Sequence, residues 1–329
     1  MAAENFLTHM KTSTQPLAPA VSTPTIVHQM TNRFMSETST ALADNTVFAY
    51  RMALDLFVAW AGTRSPDQLT PALLNDFIAF MEQRGNSHRS IRLRLWIVKH
   101  FYEWMVDENI VPDALLDVFI SRRLRKLTVI KAVKSIITLA EHNAILDVIG
   151  KQKGTDYWRC AVMLGWHCGL RISDVCLIRW ENINWETEAI ELTPKKTRRF
   201  GKRVTIPMDE ELGEFLLKLR QQPYYTSPFI IPYLAGYYSS GLRHHIKKMF
   251  WRLVRKAGVD RSFHCYRHAF VSKLVNAGIE PIVICSMTGQ SISQIADYAH
   301  VSVEAQRDAL DKARQIMHKH YLREKGIIP

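Results

Sequence analysis

The sequence lacks any long apolar run. None of its stretches reaches the roughly 18 uncharged apolar residues that a membrane-spanning helix requires, so we predict no membrane span. The start of the chain does not combine basic residues with a following apolar stretch, so it predicts no secretory signal peptide. Hydrophobic residues make up 47% and charged residues 22% of the chain, which is typical of a soluble globular protein.

Cysteine is scarce and irregularly spaced. The five cysteines are odd in number and show no C-x-x-C spacing, which argues against both a disulfide framework and a structural zinc site. Most of them have apolar neighbours, so we interpret them as buried free thiols: Cys160, Cys168, Cys176, Cys265 and Cys285. This interpretation favours a reducing, cytoplasmic compartment.

The motifs of nucleotide-dependent and metal-dependent enzymes are also missing. The sequence contains neither G-x-x-x-x-G-K-[ST] nor G-x-G-x-x-G, so no nucleotide cofactor is predicted. Its C-terminal half has no D-x-D, D-D-E-like or H-E-x-x-H grouping, so no catalytic metal ion is predicted. Any phosphoryl chemistry would therefore depend on cationic side chains.

Positive charge is abundant and unevenly distributed. The net charge is +12, and residues 1–130 carry 13 Lys and Arg against 12 Asp and Glu, whereas residues 131–329 carry 30 against 19. A basic second half favours a polyanionic partner such as nucleic acid, with a solvated basic surface as the alternative.

Apolar periodicity predicts a helical N-terminal domain. Residues 1–35 are rich in Thr, Ser, Pro, Gln and Ala without periodicity, so we predict a flexible tail there. Apolar residues then recur every three or four positions and predict a helical bundle over residues 36–120. The predicted helices run from Asp44 to about Ala61 and over Thr70–Gln83, Ser87–Asp107 and Asp113–Ile120.

The second half predicts a mixed domain after a linker. Residues 121–135 are basic without an amphipathic stripe, so we predict a linker, with a short strand over Leu127–Ile130 as the alternative. The following domain, residues 136–329, starts with a helix for which Thr138 and Glu141 have capping-box spacing.

Within that domain, two segments predict an antiparallel hairpin, Ile183–Thr193 and Arg203–Pro207, joined by a basic turn. Helices are predicted over Asp156–Trp166, Ser173–Ile178, Glu210–Arg220, Ser239–Ala257, His264–Ala277, Pro281–Met287 and Ser302–His318. The predicted fold class is thus mainly α with two domains, a helical bundle and a mixed α/β domain with a small antiparallel sheet.

Three short segments carry cations and a tyrosine in a distinctive order. Trp166–Asp174 reads W-H-C-G-L-R-I-S-D and places Arg171 after a glycine bend. His264–His268 reads H-C-Y-R-H, and Ser286–His300 reads S-M-T-G-Q-S-I-S-Q-I-A-D-Y-A-H with Tyr298 near its end. Each segment alone is a weak signal, but the three in this order, with a basic hairpin between the first two, are a strong one.

These segments resemble the three signature boxes of the tyrosine recombinase (phage integrase) family, and the resemblance extends over about residues 40–325. It implies that the bundle is the family's core-binding, SAM-like domain and that residues 136–329 form the catalytic domain. It further implies a site-specific DNA recombinase or integrase that cleaves and rejoins DNA through a covalent 3′-phosphotyrosine, without metal or ATP.

The resemblance also implies roles for single residues. Tyr298 would be the nucleophile, and Arg171 and Arg267 would grip the scissile phosphate. Lys196 would protonate the leaving oxygen, with the adjacent Lys195 as the rival, and His264 would assist proton transfer.

Three further residues complete the predicted site. Asp174 would orient Arg171, and His268 would give structural support while facing elsewhere. Gln290 stands where the family usually has His or Trp, and eight positions separate it from Tyr298, one fewer than the resemblance leads us to expect. This departure motivates one alternative, a catalytically impaired DNA-binding protein of the same fold; a type IB topoisomerase-like relaxing enzyme is another.

Double-stranded DNA is the predicted partner. The predicted contacts to its backbone are Arg243, Lys247, Lys248, Arg252, Arg92 and Lys99. The resemblance implies a homotetramer on DNA in which the tail Gln306–Pro329 docks on a neighbouring copy, with a helix packed on its own domain as the alternative. The expected location is cytoplasmic and nucleoid-associated.

Overall fold

The computed structural model describes residues 25–129, 134–152, 154, 156–222, 226–298 and 303–325. The chain divides into two compact units, Met1–Lys131 and Ala132–Pro329. Each unit has its own cluster of buried hydrophobic residues. Among the described residues, no helix has the length and apolarity needed to cross a membrane.

The first unit is helical. Its helices are α1 (Ile26–Thr38), α2 (Asp44–Ala61), α3 (Pro71–Gln83) and α4 (His88–Asp107), with 3₁₀ turns at Ser39–Ala41, Pro66–Gln68 and Asp113–Ile120. Thr70 and Ser87 cap α3 and α4, because their hydroxyls accept hydrogen bonds from the amides of Leu73 and Ser90. The core is strongly aromatic and includes Phe34, Phe57, Phe77, Phe101 and Tyr102.

Helix α1 corrects the prediction of a flexible tail over residues 1–35. It begins at Ile26 and buries Val27, Thr31, Phe34 and Met35, which lie on one helical face. The apolar residues of this face are interspersed with Thr, Gln and Asn, so the segment looked like a polar tail. Residues 1–24 of the predicted tail lie outside the described residues.

The second unit is mixed, as predicted. Its helices are α5 (Leu139–Lys151), α6 (Asp156–Cys168), α7 (Ile172–Leu177), α8 (Glu210–Arg220), α9 (Pro232–Ser239), α10 (Arg243–Lys256), α11 (His264–Asn276), α12 (Pro281–Thr288), α13 (Ile292–Ala296) and α14 (Val303–Glu324). Its strands are β1 (Ile183–Asn184), β2 (Ala189–Leu192) and β3 (Val204–Pro207), with 3₁₀ turns at Trp180–Asn182 and Lys195–Phe200. The predicted capping box of α5 is confirmed by both of its hydrogen bonds, between Thr138 and Glu141.

The small sheet differs from the predicted hairpin in one respect. The segment predicted as one strand, Ile183–Thr193, forms β1 and β2, which pair antiparallel, and β2 pairs antiparallel with β3. The turn between β1 and β2 forms because the Asn184 side chain accepts hydrogen bonds from the amides of Glu186 and Thr187, and Glu188 adopts a φ of 50°. The Lys195–Phe200 turn therefore sits on a sheet of three strands.

One further predicted helix has the wrong start. The predicted helix Ser239–Ala257 is interrupted, because Gly241 has a φ of 77° and α10 begins only at Arg243. Before the break lies α9, which was not predicted. The strand given as an alternative to the linker is not formed at Leu127, Thr128 or Val129. Residues 130–133 of the predicted linker lie outside the described residues, as do residues 299–302 and 326–329.

Candidate active site

Arg171 is placed by a sharp glycine bend. Helix α6 ends at Cys168, and Gly169 adopts a φ of 59°, after which Arg171 caps the N-terminus of α7. A Cβ on Gly169 would lie 2.6 Å from the ring of Phe270 on α11, so only glycine fits. The Nη1 of Arg171 is buried and makes no hydrogen bond to any described residue.

Arg267 is the most buried cation of the site. Only 3% of it is exposed, and its two terminal nitrogens donate hydrogen bonds to the carbonyl oxygens of Gly169 at 3.0 Å and Thr288 at 2.5 Å. Burial, followed by repulsion from Arg171, lowers the pKa of Arg267 to about 9. The guanidinium is thus fixed between the first and third boxes.

Asp174 lies beside the arginines. Its carboxylate is buried and accepts a 2.9 Å hydrogen bond from the backbone amide of Lys195, which ties α7 to the basic turn. Burial raises the pKa of Asp174, while the Lys195 hydrogen bond and the nearby Arg171 and Arg267 oppose the increase. The predicted influence on Arg171 therefore has an electrostatic basis here.

Tyr298 follows the short helix α13 and points inward. Only 7% of it is exposed, and its amide donates a 2.9 Å hydrogen bond to the carbonyl of Ile295. Burial raises the pKa of the phenol, whereas a hydrogen bond from Gln290 and the charge of Arg267 lower it. These contacts bring Tyr298 into the neighbourhood of Arg267.

His268 does not face elsewhere, contrary to expectation. Its Nδ1 lies 2.5 Å from the Tyr298 hydroxyl, within hydrogen-bond distance. Burial, then the charges of His264, Lys134 and Arg267, lower the pKa of His268 to about 4, so the ring is neutral at pH 7. The signal was present in the sequence, because positions four apart share a helical face, and the rings of His264 and His268 lie 4.5 Å apart.

The two lysines of the basic turn, Lys195 and Lys196, have different surroundings. The Nζ of Lys195 lies 4.5 Å from the ring centroid of Tyr238, whereas Lys196 is among the cations that lower the pKa of His264. Partial burial is the first cause of that lowered pKa, followed by Arg267 and Arg171. The arrangement favours Lys196 over Lys195 as the predicted proton donor.

Gln290 lies just after the end of α12. It follows Gly289, whose φ of 66° ends α12, and it is 9% exposed. Its hydrogen bond lowers the pKa of Tyr298, as a donated bond from the amide nitrogen does, while its Oε1 is buried with no partner among the described residues. The side chain of Gln290 thus lies close to the phenol.

The predicted DNA contacts differ in their exposure and in their partners. On α10, Lys247, Lys248 and Arg252 are exposed, while the guanidinium of Arg243 lies 4.8 Å from the centroid of the Tyr238 ring. In the first unit, Arg92 is exposed, but Lys99 pairs with the Glu103 carboxylate at 2.5 Å. The charge of Lys99 is therefore partly compensated.

One residue at this site was not predicted. The Nζ of Lys134, within the predicted linker, lies 3.6 Å from the centroid of the Tyr298 ring. No motif singles out Lys134, because it lies in a generally basic segment far from Tyr298 in sequence.

Family models match both units. A model described as the phage integrase family matches residues 135–305, and one described as the phage integrase N-terminal SAM-like domain matches residues 32–109. The chain belongs to the phage integrase family. This confirms the resemblance drawn from the three boxes, the assignment as a tyrosine recombinase enzyme and the predicted fold class.

Curated relatives of this phage integrase family member are tyrosine recombinases. Tyrosine recombinase XerA of Pyrococcus furiosus is 27% identical over 245 residues, which cover 72% of this chain and 78% of the relative. Tyrosine recombinase XerD of Pseudomonas putida is 24% identical over 301 residues, which cover 85% of this chain and 95% of the relative.

Solved structures share the fold. The Tn1549 transposon integrase in complex with transposon right end DNA matches with a TM-score of 0.68 at 19% identity, covering 88% of this chain and 99% of that one. A lambda integrase dimer bound to a COC′ core site matches with a TM-score of 0.66 at 14% identity, covering 84% of this chain and 99% of that one.

Proposed function

We propose that this chain is a site-specific DNA recombinase that cleaves and rejoins DNA through a covalent 3′-phosphotyrosine at Tyr298, without a metal ion or ATP. The observation that carries the proposal is the 2.5 Å contact between the Tyr298 hydroxyl and His268, beside the buried guanidinium of Arg267. A phenol with a proton acceptor and a neighbouring cation has what an activated nucleophile needs.

Arg171 and Arg267 are the proposed phosphate clamp. Buried polar groups are normally hydrogen-bonded, yet the Nη1 of Arg171 has no partner among the described residues. A second guanidinium close by makes an anion the fitting partner, and repulsion between the two contributes to the lowered pKa of Arg267. A scissile phosphodiester supplies both the negative charge and the acceptor oxygens, and donors already in place stabilise the charge that develops on phosphorus.

In the proposed cleavage step, the attacking oxygen loses one proton and the leaving oxygen gains another. The Tyr298 oxygen attacks phosphorus and its proton passes to His268, while the bond to the 5′ oxygen breaks and that oxygen takes a proton from Lys196. A bound phosphate raises the pKa of His268, because its negative charge offsets the cations that lower it. The phosphotyrosine ester keeps the energy of the broken bond, so rejoining by the reverse step requires no ATP.

Lys196 as general acid can be tested with a modified leaving group. A 5′-bridging sulfur leaves as a thiolate, which depends much less on protonation than an alkoxide does, because a thiol has a pKa of about 8.5. We expect Lys196→Ala to slow cleavage of ordinary DNA and to cleave the sulfur substrate at nearly the wild-type rate. Lys195→Ala is the matched control, and a defect confined to that variant would transfer the role to Lys195.

The remaining predicted residues support this chemistry. Partial burial, and then the nearby charges of Arg267 and Arg171, lower the pKa of His264. Its ring is suited to form a hydrogen bond with a phosphate oxygen. Gln290 donates to the phenol and lowers its pKa, so it can take part in orienting the nucleophile although it cannot carry a proton charge. Asp174 orients the clamp in two ways. Its negative charge attracts Arg171, and its carboxylate accepts a hydrogen bond from the Lys195 amide of the basic turn.

The proposed partner is double-stranded DNA. The Tn1549 and lambda integrases were solved bound to DNA, and the exposed cations of α10 supply backbone contacts of the kind that make binding depend on salt. Arg243, Lys247, Lys248 and Arg252 are the proposed contacts in the second unit, with Arg92 and Lys99 in the first.

A homotetramer is the proposed assembly. A lambda integrase tetramer has been solved on a Holliday junction. In this chain, α14 exposes Leu310, Ile316, Met317 and Tyr321, each more than half exposed, as a helix that docks on a neighbouring copy would.

The test of the proposed function is trapping of the covalent intermediate. Duplexes that bind the Tyr298→Phe protein would be selected from a random library, and a nicked suicide duplex of the selected sequence would be incubated with the wild-type protein. We expect a protein–DNA adduct that resists denaturation and that Tyr298→Phe does not form. Binding without an adduct would favour a catalytically impaired DNA-binding protein, and an adduct in Tyr298→Phe would reject the nucleophile.

A further inference from the structure

Lys134 makes three contacts with the segment that carries the nucleophile. Its Nζ lies 3.6 Å from the centroid of the Tyr298 ring, 3.5 Å from a carboxylate oxygen of Asp297, and 3.4 Å from the carbonyl oxygen of Gln294, to which it donates. Its side chain is 27% exposed and that of Asp297 is 32% exposed, so the ion pair is partly shielded from water. One ammonium thus contacts α13, the residue after it and the phenol itself.

The backbone that follows Lys134 is held in place by other residues of the second unit. The Nε of Arg261 donates a 3.1 Å hydrogen bond to the carbonyl of Ile136 and lies 3.4 Å from the Glu141 carboxylate. Ile137 is 1% exposed in the core, and Thr138 caps α5. The lysine is therefore presented from a fixed strap, Lys134–Thr138.

The ammonium of Lys134 lies over the face of the Tyr298 ring, where the interaction is attractive. An ammonium within about 6 Å of an aromatic centroid is attracted by the ring, and partial desolvation strengthens the attraction. The same charge favours the tyrosinate over the neutral phenol, since an adjacent cation stabilises an oxyanion. Within the described part of the chain, the other charged and titratable groups around the phenol are Arg267 and His268 of α11 and Asp297.

We propose that Lys134 is a positioning residue for the nucleophile. It holds the Asp297–Tyr298 segment in the attacking arrangement and supplies a positive charge that eases loss of the phenol proton. The inference rests on the proposed function of Tyr298 as nucleophile. It adds to the three boxes a residue that lies before α5 in the second unit, and it makes the contact of that residue with Tyr298 a condition for efficient cleavage.

The experiment compares three full-length variants on the suicide duplex described above. Lys134→Met keeps the length and apolar stem but removes the charge, and Lys134→Arg keeps the charge and can stack on the ring. Lys218→Met is the matched control, because Lys218 forms an exposed 2.7 Å pair with Glu214 on α8. Single-turnover adduct formation would be measured from pH 6 to 10, together with thermal melting and DNA affinity.

We expect Lys134→Met to form the adduct about tenfold more slowly at pH 7, as loss of a partly desolvated cation–π contact predicts. Its rate should rise with pH at higher values than in the wild type, because the phenol loses a stabilising cation. Lys134→Arg should restore most of the rate, and DNA affinity should change little.

Two results would overturn the inference while leaving the proposed function intact. One is an adduct rate and pH profile in Lys134→Met equal to those of the wild type and Lys218→Met. The other is a lower rate with an unshifted pH profile and no rescue by Lys134→Arg, which would indicate a structural role alone. Failure of the wild-type protein itself to form an adduct would instead reject the proposed function, and the inference with it.

Discussion

The first unit is held by aromatic and aliphatic side chains, whereas the second also buries charged and polar ones. Among the described residues, the buried polar side chain of the first unit is Thr31, and those of the second are His142, Asp174, Arg267, Thr288 and Gln290. The net charge is also uneven, because residues 131–329 carry 30 basic against 19 acidic residues. Apolar packing therefore accounts for the first unit. In the second unit, burial of charged groups is unfavourable in itself, but it fixes these groups in the arrangement that the site requires.

The sharpest test of this contrast separates the two clamp arginines. We expect Arg171→Ala to lower the rate of adduct formation by about a thousandfold, as loss of a preorganised donor does, while most DNA binding and the melting temperature are retained. We expect the stability of this variant to be retained, because the buried Nη1 of Arg171 makes no hydrogen bond to the residues that the structure describes. Cleavage at a near wild-type rate would show that the clamp is assigned to the wrong residue.

Arg267→Ala should behave differently. It removes the same kind of charge and also two hydrogen bonds, to the carbonyls of Gly169 and Thr288. We therefore expect loss of both cleavage and melting temperature. Equal melting temperatures for the two variants would contradict the structural part of the contrast.

A second test compares one glycine from each unit. Gly85 and Gly169 both have a positive φ, 73° and 59°, but an added Cβ meets nothing within 4 Å at Gly85 and the Phe270 ring at 2.6 Å at Gly169. We expect Gly85→Ala to cost about 1 kcal/mol of unfolding free energy, and Gly169→Ala about 3 kcal/mol because steric overlap is added to the backbone strain. Denaturant unfolding of both variants would measure the difference, and equal costs would show that Phe270 moves aside.

A third test uses two histidines of the second unit, the buried His142 and the partly buried His268. Burial lowers the pKa values of His142 and His268 to about 4 from 6.5. A depressed histidine pKa means that the unfolded chain binds the proton first, so this contribution to stability is complete above pH 6.5 and declines as the pH falls towards 4. His142→Phe keeps the stacking on Trp166 and should make stability depend less on pH in this range.

The control for this test is His318→Phe on α14, where the side chain is exposed. It should leave the pH dependence of the unfolding free energy unchanged. An unchanged slope in His142→Phe as well would mean that burial of His142 does not contribute to acid sensitivity.

The smallest expected effect concerns the exposed cations. Lys247→Ala on α10 and Arg92→Ala on α4 should each reduce the slope of log affinity against log salt by about one, with a severalfold loss of affinity for the selected duplex. Lys218→Ala, which removes a lysine from an exposed pair with Glu214, should leave the slope unchanged. A change for Lys247 alone would restrict the DNA surface to the second unit.

Local features were predictable because their causes are local. The cap at Thr138 and the helix Glu210–Arg220 match the prediction, since capping and apolar periodicity depend on residues a few positions apart. Errors arose where a local pattern was weak: Val27 and Phe34 belong to a polar-looking segment that became α1, and Asn184 supports a turn that divided a predicted strand. Gly241 was likewise an overlooked break in an apparently continuous helix.

The sequence by itself determined the family, the order of the three boxes and the chemical type of each predicted site residue, because motif identity needs no coordinates. Only the tertiary structure decided which side chains meet. It joined His268 to the Tyr298 hydroxyl and brought Lys134 to a carbonyl 160 positions later in the chain. Contacts of that kind depend on how α11, α13 and the strap pack together, and packing geometry is a property of the folded chain that short-range spacing does not encode.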